Sequence, residues 1–110
     1  MKKYSSKRTE LMGLTFDSKA EAKRYGELLL AQKAGLISGL VCQVPFELAP
    51  KVKLLGDSRS RPALRIVVDF CYCEKGQIVF EDTKGFDTPL GRAKRHLLKH
   101  THNIDVRITK

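Results

Sequence analysis

The stretch LRIVVDFCYCEKGQIVFEDTKGF, residues 64–86, reads as two strands joined by a turn. Both runs carry the β-branched, aromatic and apolar content that suits a pleated surface, and Glu74-Lys75-Gly76-Gln77 supplies the turn signal between them. A hairpin is the simplest arrangement. Side chains alternate faces along a strand, which puts Asp82 and Lys84 on the face of Ile78 and Phe80 and turns Glu81 the other way with Val79 and Thr83. Polar groups committed to an apolar hairpin are costly unless they pair with one another, with backbone or with a metal ion. Asp69, Asp82 and Lys84 therefore call for an explanation. Alternation favours Asp82 over the adjoining Glu81 as the second acid, because it shares a face with Lys84, but leaves both in play.

On the N-terminal side of the hairpin, residues 17–34 have a helical pattern. Ser18 and Glu21 stand at capping-box spacing, Gly35 sits where a C-terminal stop belongs, and Glu21, Tyr25, Leu28, Leu29 and Gln32 fall on one stripe. Glu21 thus faces inward, either as the capping partner of Ser18 or as a functional carboxylate. Residues 40–48 alternate as a strand that Pro45 assigns to a sheet edge or a bend. Residues 49–62 form a loop with two prolines, Gly56-Asp57-Ser58 and the basic pair Arg59 and Arg61. Beyond the hairpin, Thr88 and Pro89 open a helix over residues 89–102. Its Leu90, Ala93, Leu97, Leu98 and Thr101 are expected to face the sheet, with Arg92, Arg95, His96, Lys99 and His102 outward and Lys94 at the border. Residues 104–109 alternate as a last strand. The expected fold is α/β: a mixed sheet with a central hairpin, flanked by helices.

The chain has 110 residues, enough for a single domain with one modest core. Residues 1–10 read as a flexible basic arm, with Lys2, Lys3, Lys7 and Arg8, and a short strand is expected over residues 11–16. No apolar run approaches membrane-spanning length, and residues 1–8 have no signal-peptide character, which points to a cytoplasmic protein. Three cysteines do not make a disulfide framework in such a protein; Cys42, Cys71 and Cys73 are read as small buried hydrophobes rather than zinc ligands with His96 and His100. The net charge of +9 draws the chain toward polyanions. The charge is clustered: residues 51–65 hold five basic residues against Asp57 alone, and residues 84–110 hold seven against two acids. Nucleic acid is the obvious partner.

Asp69, then Asp82-x-Lys84 thirteen residues later, with Glu21 on a preceding helix, resembles the acid…(Asp/Glu)-x-Lys pattern of the PD-(D/E)XK nuclease superfamily. Residues 18–25, SKAEAKRY, are similar to the acid-bearing first helix of archaeal Holliday-junction resolvases and of transposon end-cleaving nucleases. Together with QVPFEL, residues 43–48, and KGFDT, residues 84–88, the chain most resembles small phage and prophage proteins of that superfamily that usually carry no assigned function. The first acid follows Val68 where the superfamily's motif has proline.

The resemblance implies a restriction-endonuclease-like core ordered α-β-β-β-α-β and a metal-dependent DNA endonuclease, structure-selective for junctions or branched DNA in phage replication or recombination. Asp69, Asp82 and the Thr83 backbone carbonyl would offer oxygen ligands to Mg²⁺, with Mn²⁺ an accepted substitute, and Glu21 would complete the site or hold a second ion. Lys84 would orient or deprotonate the attacking water. Arg59, Arg61, Arg92, Lys94, Arg95 and Lys99 would hold the phosphate backbone. Cutting two strands with so small a domain calls for a homodimer. The competing readings are a catalytically silent nucleic-acid-binding module and an interaction subunit of a phage DNA-processing assembly, with the acids and Lys84 as a self-satisfying ionic cluster.

Overall fold

The turn of the central hairpin is two residues long. Lys75 and Gly76 both have positive φ, 52° and 76°, as a type I′ turn requires, and that turn's twist matches the twist of the strands it joins. The computed structural model describes residues 9–11, 14–16 and 18–110. In chain order the elements are β1 (Thr9–Leu11), β2 (Leu14–Phe16), α1 (Lys19–Lys33), β3 (Ser38–Ala49), β4 (Leu64–Glu74), β5 (Gln77–Thr83), α2 (Pro89–His102) and β6 (Val106–Thr109). One sheet runs β3-β4-β5-β6, antiparallel at its first two pairings and parallel between β5 and β6. This is the expected mixed α/β arrangement, with the order α-β-β-β-α-β from α1 onward. Ahead of α1, β1 and β2 pair antiparallel as a separate sheet, so two strands stand where one was expected and Thr9 and Glu10 belong to a strand rather than an arm. Lys2, Lys3, Lys7 and Arg8 lie outside the described residues.

Local chemistry sets the element ends. Ser18 Oγ accepts the Glu21 N–H at 3.1 Å and starts α1. The helix closes as a Schellman motif, the Leu36 N–H donating to the Ala31 carbonyl and the Gly35 N–H to that of Gln32, with Gly35 at φ 81°. Thr88 Oγ1 accepts the Gly91 N–H to cap α2, and Asn103 ends it in the left-handed region. Pro45 lies opposite Val67 on β3, an edge strand where a missing donor is tolerated.

Two apolar clusters form the core. Under α1 are Phe16, Ala22, Tyr25, Leu28, Ile37, Phe70 and Tyr72; under α2 are Leu48, Ile66, Val68 and Leu98, with Phe46, Phe80, Leu97, Ile104 and Val106 packed against them. The boundary falls on β4 at Asp69, between Val68 and Phe70. Leu98 is the buried residue of α2, so Leu98→Ala should cost about 2–5 kcal/mol of stability, read as a lowered urea midpoint with unchanged slope.

The face that α2 presents differs from the expected one. Leu90 is 62% exposed and Ala93 and Thr101 are also exposed, whereas Lys94 and Arg95 are half-buried. His102, expected outward, keeps an edge-on contact with Phe46 at 5.4 Å. Arg95 is tied back across the helix start, where both carboxylate oxygens of Asp87 accept from one Arg95 nitrogen at 2.8 Å, and the helix meets the sheet through Leu98 and Leu97.

Candidate functional site

β4 and β5 keep their ladder as far as the Phe70–Glu81 pair. Beyond it, side chains take over from carbonyls. The Asp69 N–H donates to Asp82 Oδ1 at 2.8 Å, and the Thr83 N–H donates to Asp69 Oδ2 at 2.9 Å. Each strand's amide is thus held by the other strand's acid, which fixes both carboxylates through backbone rather than through flexible partners. Two adjacent negative charges repel, and Asp82 is almost fully buried; the two charge-assisted amide bonds offset that cost. Lys84 is anchored by its N–H to the Thr109 carbonyl at 2.8 Å, and its Nζ lies 3.8 Å from Asp82 Oδ2. Asp69, Asp82 and Lys84 therefore converge, as the spacing implied.

Glu21 comes to the same neighbourhood from α1. Gln43 Nε2 donates to Glu21 Oε2 at 2.6 Å. Gln43 lies between Cys42, opposite Phe70, and Val44, opposite Val68, which places it abreast of Asp69. Its φ of 58° is unusual for a residue other than glycine and marks an irregularity in β3 at this point. Burial pushes the Cys42 thiol pKa up, and the charges of Glu21 and Asp69 push it further. Ser18 Oγ accepts from the Glu21 N–H, and the Glu21 carboxylate reaches across to Gln43 of β3.

The donor set suits a hard cation of modest demands. Mg²⁺ retains several waters and is commonly held by one or two carboxylates plus substrate phosphate, and Asp69 and Asp82 provide two oxygen-bearing groups fixed by backbone. Among the described residues no three His, Cys, Asp or Glu side chains form a metal-holding group; the carboxylates that backbone amides fix here are those of Asp69 and Asp82. The cysteines are free and half-buried.

Glu81 has a different task from Asp82. It is fully buried and accepts from Arg24 Nε at 2.6 Å, Arg24 Nη2 at 3.0 Å, Tyr72 Oη at 2.5 Å and Thr109 Oγ1 at 3.1 Å. Burial alone would push its carboxyl pKa up, but the hydrogen bonds from Arg24 and Tyr72 and the charge of Arg24 outweigh it and hold the group below its ordinary value. Arg24 is correspondingly pushed up by the Glu81 bond, and burial and its own hydrogen bond to Glu81 raise the Tyr72 phenol. Arg24, Tyr72, Thr109 and Gln43 were not singled out by sequence. Only Arg24 carried a signal, standing three residues after Glu21 and four before Leu28 on the helix.

The basic residues expected to hold phosphate divide into two sets. Arg59 and Lys94 make no ion pair among the described residues. Arg61 pairs with Asp57 at 2.8 Å, Lys99 with Asp105 at 2.8 Å, and Arg92 with Asp87 at 3.6 Å. These are partly exposed pairs, worth little and easily exchanged for another anion. Arg95 differs: its side chain is 16% exposed and grips Asp87, whose carboxyl Arg95 and Arg92 hold below its ordinary value. Arg95 thus anchors the start of α2.

A family model described as a protein of unknown function (DUF1064) matches residues 1–110, the whole chain. Searches of curated proteins and of solved structures each found no match. No helix among the described residues is long and apolar enough to cross a membrane.

Proposed function

The chain belongs to the DUF1064 family, and for this member we propose a metal-dependent DNA endonuclease of the PD-(D/E)XK type. The observation that carries this reading is the reciprocal clamp at residues 69, 82 and 83: two acids fixed by backbone amides, with Lys84 Nζ beside one of them. Asp69 and Asp82 bring two carboxylates side by side with Lys84 Nζ 3.8 Å from Asp82, and oxygens so placed suit a hard divalent ion.

Asp69 and Asp82 would hold the ion, with the Thr83 carbonyl as a third oxygen. When bound, Mg²⁺ supplies charge neutralisation for the phosphate and a lower pKa for water. Lys84 directs its ammonium protons at the non-bridging phosphate oxygens and at the attacking water, orienting it. Glu21 and Gln43 wall the site beside Asp69 and order the surrounding water. Arg59 and Lys94, joined by Arg61, Arg92 and Lys99 as their acid partners are displaced, hold the DNA backbone without reading bases.

Mn²⁺ binding followed by electron paramagnetic resonance tests the ion-holding role. The parent should take up Mn²⁺, Mg²⁺ should compete for it, and Asp69→Asn should weaken uptake at least about tenfold; equal uptake by both proteins would remove Asp69 from the site. DNA affinity should fall steeply with salt and depend little on sequence, and the charge reversal Arg59→Glu/Lys94→Glu should flatten the salt dependence by about two phosphate contacts. An unchanged slope would return those residues to an ordinary solvated surface.

A further inference from the structure

Between β3 and β4 the chain runs on as a narrow arm over residues 50–63. Val52 and Arg61 pair across it, the Val52 N–H donating to the Arg61 carbonyl at 3.2 Å and the Arg61 N–H to the Val52 carbonyl at 2.5 Å. Pro50 and Pro62 stand just outside that bridge, fixing φ and removing donors, so the ladder does not continue through the neck. The tip is closed by the Asp57 N–H on the Leu54 carbonyl at 3.0 Å and by the Arg61–Asp57 ion pair. This is a turn with its own internal bonds.

The side chains it carries are unusual for a turn. Leu55 is fully exposed, Leu54 is 52% exposed and Val52 is 48% exposed, and none of the three belongs to either core cluster. Turn tips ordinarily carry Gly, Asn, Asp or Ser, because an apolar side chain there stays in water with nothing to offset its hydration cost. Along the arm and at its root are Lys51, Lys53, Arg59, Arg61 and Arg65; Arg61 engages Asp57 and Arg65 lies opposite Glu47 on β3, while Lys51, Lys53 and Arg59 make no ion pair among the described residues.

We propose that this arm is a wedge: its basic collar holds DNA backbone and Leu54 and Leu55 insert at a point where bases are already unpaired or unstacked, as at a junction, flap or bulge. Apolar side chains pushed between bases must meet the cost of unstacking, which is least where pairing is already broken. That cost selects branched over plain duplex. β4 leads from the arm to the acids; Arg61 and Asp69 are eight residues apart, at most about 27 Å of extended chain, or roughly eight base-pair rises. A tip seated at a branch would then set the phosphate offered to Asp69 and Asp82 at a fixed distance from it. A lipid surface also attracts a basic, apolar-tipped loop, but two leucines bury too few methylenes for stable anchoring.

The proposal names the substrate class of the nuclease proposed above and rests on that reading for its choice of macromolecule, so its test is run in EDTA, where cleavage plays no part. Fluorescence anisotropy would compare the parent with Leu54→Ser/Leu55→Ser on a four-way junction, a flap and a plain duplex of equal length, and 2-aminopurine at the branch would report unstacking. Both leucines are outside the core, so the variant should melt with the parent. The parent should prefer branched DNA and raise 2-aminopurine emission. In the variant, affinity for branched DNA should fall about tenfold or more, the loss expected when a buried leucine is exchanged for a polar side chain, with plain-duplex affinity nearly unchanged. Absence of branch preference in the parent, or equal preference in both proteins, overturns the wedge. So does loss of binding to anionic phospholipid vesicles with DNA binding intact, which would assign the tip to membranes. A parent that shows the wedge behaviour but cuts nothing with any metal keeps the wedge and loses the nuclease; one that cuts all DNA forms alike, as does the variant, keeps the nuclease and loses the wedge.

Discussion

Asp82→Asn is expected to remove Mg²⁺-dependent cleavage, by at least about 100-fold in rate, the scale of losing one fixed electrostatic group from a transition-state site, while thermal unfolding stays within a few degrees of the parent. Asparagine keeps the oxygen that accepts the Asp69 N–H at 2.8 Å, so the clamp between β4 and β5 survives. What it removes is one of two neighbouring negative charges, and that relieves repulsion in the apo protein. DNA binding in EDTA should persist and tighten slightly, because less negative charge faces the phosphates. Lys84→Ala should cost cleavage on a similar scale with little change in stability, since its side chain is about one-third exposed and its backbone N–H remains on Thr109. If Asp82→Asn melts far below the parent, the residue is part of a structural ion cluster and the nuclease reading loses its main support.

The opposite outcome is expected one residue earlier. Arg24→Ala leaves the Glu81 carboxylate, fully buried, without the cation that hydrogen-bonds it among the described residues, and stripping one member from a buried pair costs about 3–5 kcal/mol. In a domain of this size that lowers Tm by more than about 10 °C. Arg24→Met/Glu81→Leu should recover part of the loss, since it removes both charges rather than stranding one. The pH dependence follows from the same cluster. The Glu81 carboxyl sits below its ordinary value in the folded protein, so its contribution is fully present above the unfolded-state value and disappears as pH falls through the folded-state value. Glu81→Gln should therefore be less stable than the parent at neutral pH and lose less stability on acidification. Calorimetry at a series of pH values checks both.

Adjacent acids with separate duties were half legible in the sequence. Strand alternation sends Glu81 and Asp82 to opposite faces, and it ranked Asp82 first because it shares a face with Lys84. Alternation says nothing about what waits on the other face: Arg24 meets Glu81 across 57 residues, and no local pattern encodes that meeting. The hairpin, both helix starts, the Gly35 stop and the edge position of Pro45 were readable because each is decided by a few neighbouring residues. The roll of α2 was not. A stripe of Leu90, Ala93 and Leu97 is a sound expectation for an isolated amphipathic helix, but which face meets the sheet is decided by packing with distant residues, here Leu98 with Leu48, Ile66 and Val68. Gln43 was hidden for a similar reason: only its positive φ and its place abreast of Asp69 bring its amide to Glu21.

The arm over residues 50–63 was seen only as a basic loop. Its apolar tip was visible as Leu54-Leu55 in the sequence, yet leucines in a short segment are ordinarily core residues, and their exposure emerges only once both clusters are seen to be complete without them.

Incubation of the purified parent with end-labelled plain, nicked, flapped and four-way-junction DNA, in Mg²⁺, in Mn²⁺ and in EDTA, tests the central claim most directly. The account predicts cut products with either metal and none in EDTA, and none from Asp82→Asn prepared identically. Intact DNA under every metal, from a parent shown by calorimetry to be folded, would contradict it.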